Sequence, residues 1–394
     1  MKNKIRFLTA AAGLVLLAAC DNDRGVVIVD PGDPPGQPTD LFATYAWVLE
    51  DFDNGQPVGY PSVQVTWFPP ADWDDEVFRV YGKRAADANF TLIATVTSCT
   101  NAGCVYTDRN VAYGQEYEFY VAAYDEGSDQ ETSSDFRDVV RVPANQRPAA
   151  PTAAETANLD NAVFLRWTPN ATNGDNVSRY LVYLTRLDNQ ATLYRVGETD
   201  GTGFLDQRAE NSSRFGYRVA TVDTMGHVSN LGAEVIGVPR PDFAGELVYA
   251  FADSVAASGF RFQSDEATNP ILSGSSASAQ WRLESDVSGY RIVPLNGTQV
   301  TEWGRTTALV CGPGADASCT AARVAPSAGY SAAPIAVDAE YSYVFRVTGG
   351  DGLPHYAVLR VTMLGTDQNG KDLMIFDWAY QTVPNEPQLL RTAS

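Results

Sequence analysis

Val63-Gln64-Val65-Thr66-Trp67 and, further along, Tyr117-Glu118-Phe119-Tyr120-Val121-Ala122-Ala123-Tyr124-Asp125 decide the fold of this chain. Apolar residues recur in them at a period of two, the spacing of strands with a buried face. Both stretches return, as Val163-Phe164-Leu165-Arg166-Trp167 and as Phe215-Gly216-Tyr217-Arg218-Val219-Ala220-Thr221-Val222-Asp223. The landmarks between them return too. Phe78 and Val80 before Tyr81 match Tyr180 and Val182 before Tyr183, and Tyr106-Thr107-Asp108 matches Phe204-Leu205-Asp206. The offset is 100 from Trp67 to Trp167, and 98 both from Asp108 to Asp206 and from Asp125 to Asp223. Anchors repeating at one period indicate a duplicated domain. The strands are short and broken by Gly, Asn and Pro, and about seven fit into each hundred residues, the density of a β-sandwich.

These landmarks resemble fibronectin type III domains, whose second strand buries a tryptophan and whose sixth strand carries a Tyr-x-aromatic-x-Val-x-Ala pattern. The resemblance spans roughly residues 40 to 240. It implies two sandwiches, 41–144 and 151–239, with Trp67 and Trp167 in their cores. It also makes Tyr117 a corner tyrosine whose hydroxyl caps a turn. Phe215 occupies that position in the second copy and has no hydroxyl, so its corner is expected to rest on packing alone. The linkers Ala144 to Pro151 and Val238-Pro239-Arg240-Pro241 are short and proline-bearing, and read as semi-rigid spacers. Trp73 lies in the acidic loop Pro69-Pro70-Ala71-Asp72-Trp73-Asp74-Asp75-Glu76. A loop tryptophan either folds back onto its own module or anchors a partner, and Trp73 is kept as a candidate contact on the second reading. His227 reads as a solvated histidine in a hairpin loop.

Residues 241–394 do not repeat the pattern, yet still read as strands: Glu246–Phe251, Ala279–Glu284, Tyr290–Leu295, Tyr341–Val347, Tyr356–Leu364 and Lys371–Gln381. Asn369-Gly370 favours a two-residue hairpin turn. Pairing outward from it sets Met363 opposite Phe376, Val361 opposite Trp378 and Leu359 opposite Tyr380, an apolar stripe on one face, with Arg360 and Asp377 diagonal on the other. The run His355 to Val361, followed by Phe376 to Gln381, resembles the closing strands of HmuY-type lipoproteins, bacterial all-β proteins of which some bind haem. The Met/Phe/Trp/Tyr stripe reads first as domain core and, as the alternative, as the wall of an apolar-ligand cleft, in which His355, Met374 and Trp378 are candidate contacts. No axial pair matches by motif, and no cofactor is assigned. The fold expected overall is all-β: two tandem fibronectin type III-like sandwiches followed by a distinct C-terminal β-domain.

The chain begins with Lys2, Lys4 and Arg6, an apolar block from Phe7 to Ala19, and Leu17-Ala18-Ala19-Cys20. A basic head and a short apolar core form an export signal, 1–19, too short to span a bilayer comfortably. The cysteine after Leu-Ala-Ala resembles the lipobox of bacterial lipoproteins. It implies cleavage before Cys20 and a lipid on that residue, so the membrane becomes a partner through the anchor. Residues 20–40, with Asp30-Pro31-Gly32-Asp33-Pro34-Pro35-Gly36, read as a disordered, extended tether. The expected location is the bacterial cell envelope. Asp21 signals inner-membrane retention in some bacteria, which leaves periplasm-facing and surface-exposed placements both open.

With Cys20 lipidated, four of the five cysteines remain, as the local pairs Cys99/Cys104 and Cys311/Cys319. Each spans a glycine-containing turn, and in an exported chain such pairs read as disulfides. The spacing lacks the paired CxxC units and histidines of a zinc site. The formal net charge of −20 falls to −23 once Lys2, Lys4 and Arg6 leave with the signal, a balance that repels phosphate backbones and excludes nucleic acid as a partner. With two histidines in different domains, no Gly-x-Ser-x-Gly elbow, no HExxH and no phosphate-binding glycine loop, an enzyme is not expected. What is expected is binding or adhesion, with an envelope protein or a glycan as partner and small apolar-ligand capture as the alternative.

Overall fold

The computed structural model describes residues 34–389 except 75, 101, 171–175, 189–191, 266–267 and 313–314. The signal, Cys20 and most of the tether lie outside the described residues. What is described is strand, turn and coil, with one short 3-10 turn at Val255–Ala257.

The first eight strands are β1 (Thr39–Asp53), β2 (Gln56–Phe68), β3 (Val77–Arg84), β4 (Thr91–Val96), β5 (Cys104–Asp108), β6 (Glu116–Asp125), β7 (Gln130–Ser133) and β8 (Asp138–Arg141). They form one sheet in the order β1-β2-β5 and another in the order β4-β3-β6-β7, with β8 also on β6. The turn from β1 to β2 is Asn54-Gly55, both at positive φ, as a two-residue hairpin requires. By packing, the chain divides into two compact units. Among the described residues, one holds 34–42 with 65–106 and 118–139; the other holds 43–64, 107–117 and 140–389. In the first unit Trp67, Phe78, Val80, Phe119 and Val121 are fully buried, and the Trp67 and Phe78 rings meet edge to face at 5.7 Å.

The second unit contains a three-on-four sandwich. Its strands are β9 (Thr152–Leu159), β10 (Ala162–Thr168), β11 (Val177–Arg186), β12 (Leu193–Thr199), β13 (Gly203–Asp206), β14 (Phe215–Asp223) and β15 (Val235–Gly237). The sheets run β13-β10-β9 and β12-β11-β14-β15. Val163, Leu165 and Trp167 from one sheet pack against Tyr180, Val182, Leu184, Phe215, Tyr217 and Val219 from the other. The outer side of β11 and β14 is apolar as well, because Trp47 of the 43–64 ribbon packs there on Leu181, Tyr183, Ala220, Val222 and Val228.

The aspartates that repeat do the same work. Asp108 accepts the amide N–H of Asn110 at 2.8 Å, and Asp206 that of Arg208 at 3.0 Å. Tyr117 is the corner tyrosine, its hydroxyl accepting the Ala112 N–H at 2.8 Å. The second corner is not held by packing alone. Tyr217, two residues beyond Phe215 and on the same face, donates its hydroxyl to Asp206 Oδ2 at 2.9 Å. A shift of two residues preserves the face of a strand, so the hydroxyl still reaches the turn.

The C-terminal strands are β16 (Asp242–Tyr249), β17 (Gly259–Phe260), β18 (Ile271–Leu272), β19 (Trp281–Asp286), β20 (Gly289–Pro294), β21 (Gln299–Arg305), β22 (Ile335–Ala336), β23 (Tyr341–Thr348), β24 (Pro354–Thr366) and β25 (Asp372–Gln381). They form two sheets, β16-β25-β24-β23-β21 and β18-β17-β19-β20-β22. The core between them holds Phe260, Trp281, Phe345, Leu359, Met374, Phe376 and Trp378. The other side of the first sheet is covered too: Leu309, Ala322, Ala325 and Leu389 lie over Val344, Val358 and Ala379.

The last hairpin has the expected apolar face in a different register. Leu359 pairs with Trp378, Val361 with Phe376, and Arg360 with Asp377. Asp367 and Lys371 close a loop one residue longer than a two-residue turn, with Gly370 at φ +78°. A bulge between Val361 and Met363 adds the second residue of the shift and turns Met363 outward, 48% exposed.

The segment Val238 to Pro241 is buried rather than a spacer. Val238 N–H donates to Asn158 Oδ1 at 2.8 Å, and Arg240 N–H to the Leu159 carbonyl at 3.1 Å. The Arg240 side chain is fully buried, donating to the Leu389 carbonyl and lying 3.5 Å from the Asp242 carboxylate. Burial pushes its guanidinium down to about 10 and the Asp242 carboxyl up. Arg214 pairs with Glu386, and Ser212 donates to Thr382 Oγ1 at 2.8 Å. The second sandwich and the C-terminal domain therefore share a polar, hydrogen-bonded seam.

Candidate functional site

Both local cysteine pairs are bonded, Cys99 to Cys104 and Cys311 to Cys319. The first closes a tight turn in which Thr100 and Gly103 exchange backbone hydrogen bonds at 3.0 Å. The second crosslinks the coil that follows β21. Among the described residues, no three His, Cys, Asp or Glu side chains gather as a metal would require.

The sequence candidates are not brought together. Trp73 folds back: its Nε1 donates to the Glu76 carbonyl at 2.8 Å, and its ring lies 5.6 Å from Phe78. Met374 and Trp378 are sealed beneath the second C-terminal sheet, 0% and 1% exposed. Phe260 meets Phe376 at 5.1 Å and Trp378 at 5.4 Å. His355 is buried, with Nδ1 at 3.1 Å from the Gln381 carbonyl and Nε2 at 3.2 Å from the Asp351 carboxylate. Both ring nitrogens already face protein oxygens.

His227 is buried rather than solvated. Its Nδ1 lies 2.9 Å from Asp223 Oδ2 and its Nε2 2.7 Å from the Tyr45 hydroxyl. The 43–64 ribbon covers this turn, and a Cβ at Gly226 would stand 3.3 Å from the Trp47 carbonyl. Burial is also the main cause of the raised Tyr45 phenol.

Two surfaces stand out that the sequence reading passed over. The first is the outward face of β3 and β6. Tyr81 and Tyr120 stack at 4.7 Å, Arg79 sits 3.2 Å over the Tyr124 ring, and Lys83 sits 5.0 Å over Phe90. Arg79 also pairs with Glu131 at 2.8 Å, and Lys83 with Glu118 at 2.9 Å. Partial burial, then the Glu131 hydrogen bond, raises the Tyr81 phenol. The chain's own cations cap these rings, so this face is a self-contained stabilising ladder.

The second is Trp303. Six of the seven tryptophans are buried or half-buried, and Trp303 is 39% exposed. It lies on β21, at the edge of the first C-terminal sheet, where the register steps between Glu302 and Gly304. Gly304 has φ +117°, a conformation that suits glycine, and the bulge turns the indole out of the core. Gly304 beside an isolated Trp was the available sequence signal, but without a recognised strand it had no context.

No family model matches the chain. Among solved structures, the chain is similar to the FN1–FN3 domains of chicken CNTN1, at 16% identity and a TM-score of 0.36, over 52% of this chain and 69% of that one. It is also similar to a two-domain fibronectin type III segment of chicken tenascin, at 14% identity and a TM-score of 0.20, over 50% of this chain and 97% of that one. Overlaps this slight say nothing of partner or activity.

Proposed function

We propose that the chain is a non-enzymatic, lipid-anchored protein of the bacterial cell envelope that acts in binding or adhesion. Residues 41–144 and 151–239 serve as stalk modules and 241–394 as the head. The observation that carries this reading is Trp303, an exposed indole on a rigid edge strand of the head. Large aromatics concentrate binding energy at interfaces. The buried Arg240 seam supports it, since a head fixed to its neighbouring sandwich transmits load without a loose joint. The sealed Met374/Trp378 stripe favours recognition at the surface over capture within the domain core.

The test pairs two variants of the full chain expressed in a bacterial host. Cys20→Ser should move the protein from the detergent phase to the aqueous phase. Trp303→Ala should lower retention of an envelope component captured by the parent protein about tenfold, with unchanged thermal stability. A Cys20→Ser protein still in the detergent phase overturns the anchor. Undiminished capture by Trp303→Ala overturns the role of the head.

A further inference from the structure

His227 and His355 are built alike and differ in the proton they require. Both are buried, and each meets an aspartate four residues before it, Asp223 and Asp351. His227 is satisfied as a neutral ring: Nδ1–H donates to Asp223, and Nε2 accepts the Tyr45 hydroxyl at 2.7 Å. His355 has no hydroxyl beside it. Its Nδ1 lies 3.1 Å from the Gln381 carbonyl, and its Nε2 lies 3.2 Å from both oxygens of the Asp351 carboxylate. A carbonyl and an ionised carboxylate only accept, and a neutral imidazole carries one N–H. Only the imidazolium fills both contacts.

Burial decides which contact yields when the proton leaves. Gln381 is 0% exposed, whereas the Asp351 side chain is 43% exposed. Taking a donor from a buried carbonyl costs more than returning a carboxylate to water. The neutral ring therefore keeps Nδ1–H on Gln381 and turns a lone pair toward Asp351. Asp351 sits in Gly349-Gly350-Asp351-Gly352-Leu353, the loop between β23 and β24. Glycine is required where the ring meets this loop, since a Cβ on Gly349 would stand 2.5 Å from His355 Nε2 and 2.7 Å from Asp351 Oδ1. Leu353 N–H donates to Asp351 Oδ1 at 2.9 Å. That bond foremost, with His355 adding to it, holds the Asp351 carboxyl below the usual range, so it stays charged wherever histidine titrates. The other titratable group against the ring is Tyr380 of β25, with centroids 5.7 Å apart. Burial pushes its phenol up to about 12 against the opposing charge of Arg261, so it stays neutral over the same range.

We propose that His355 is a proton-operated clasp on the 349–353 loop of the C-terminal domain. Charged, the imidazole bridges Asp351 to Gln381. The Asn385 N–H donates to the Pro354 carbonyl at 2.8 Å beside it, so the loop is held against the chain that follows β25. As pH rises through the histidine range, about 5 to 8, the ring becomes neutral and the Asp351 contact is released. The contribution is whole at the acidic end and lost toward the alkaline end. The clasp goes beyond the binding role given to Trp303 and does not depend on it.

The test is nitrogen NMR of the imidazoles, of which the chain has two, together with amide exchange, on the full mature chain between about pH 5 and 8. His355 should be doubly protonated at the acidic end and the neutral Nδ1–H tautomer at the alkaline end. Exchange of the 349–353 amides, corrected for its intrinsic pH dependence, should speed up about tenfold across that titration, the worth of one charged hydrogen bond. Asp351→Asn, a change at an exposed carboxylate, should abolish this dependence, because its amide can donate to the neutral ring. His355→Gln should abolish it too, and His227→Gln should leave it intact. A His355 ring that keeps one protonation state throughout, a titration that leaves the loop amides unchanged, or an Asp351→Asn protein that keeps the dependence would overturn the clasp. A neutral Nε2–H tautomer at the alkaline end would overturn the order of release.

Discussion

Tyr217→Phe tests the second corner directly. The ring is fully buried and Asp206 is 6% exposed, so phenylalanine keeps the packing and removes only the hydroxyl bonded to Oδ2 at 2.9 Å. The carboxylate keeps the Arg208 amide on its other oxygen. The loss is one charge-assisted bond to a group that water reaches poorly, about 1.5–3 kcal/mol. The matching change in the first copy, Tyr117→Phe, removes a neutral bond from an exposed backbone amide at Ala112, about 0.5–1 kcal/mol. With a urea slope of about 2 kcal/mol/M, Tyr217→Phe should lower the midpoint by about 1 M and Tyr117→Phe by about a third of that. Because a multidomain chain need not unfold in one step, hydrogen exchange of residues 203–223 should be followed alongside circular dichroism. Asp206→Asn in the Tyr217→Phe background should recover part of the loss by removing the stranded charge. A Tyr217→Phe cost no larger than that of Tyr117→Phe would refute the reasoning.

Alkaline pH should destabilise the protein. Burial raises Tyr45, Tyr217 and Tyr330, and pushes Tyr343 and Tyr380 up to about 12. A raised folded-state value means the contribution is whole below the unfolded phenol value near 10 and is lost as pH rises toward the folded one. Tyr217 alone should contribute about 1.4 kcal/mol of lost stability per pH unit there, so denaturant midpoints should fall between pH 10 and pH 12. Gly370→Ala should cost about 1 kcal/mol through φ +78° alone, since a Cβ there meets nothing within 4 Å; a thermal melt checks it, and no shift would mean that the turn tolerates another conformation.

The period-two face of the last hairpin was legible in the sequence although its register was not. The expected pairing was wrong by two residues, one from the loop and one from the bulge, and an even shift leaves every side chain on its own face. Leu359, Val361, Phe376 and Trp378 are therefore buried as expected, while Met363, beyond the bulge, is not. A bulge depends on twist and on neighbouring strands, which local patterning does not encode. The same limit hid Trp303, whose strand β21 is polar at both ends and became a strand by pairing with β23.

Val238 to Pro241 shows why composition misleads at a junction. Prolines exclude an N–H donor and mark a spacer only where the chain meets water. Here Pro241 supplies its carbonyl to Tyr380 N–H at 3.1 Å, and Arg240 brings a donor-rich group to the Leu389 carbonyl. Each of these partners lies far along the sequence, so no window around residues 238–241 contains the reason for their burial. A cavity beside the Cys311–Cys319 crosslink has the same origin. Arg166 lies on β10 and Arg323 in coil, and only the return of the chain over β9 and β10 brings both to one cavity.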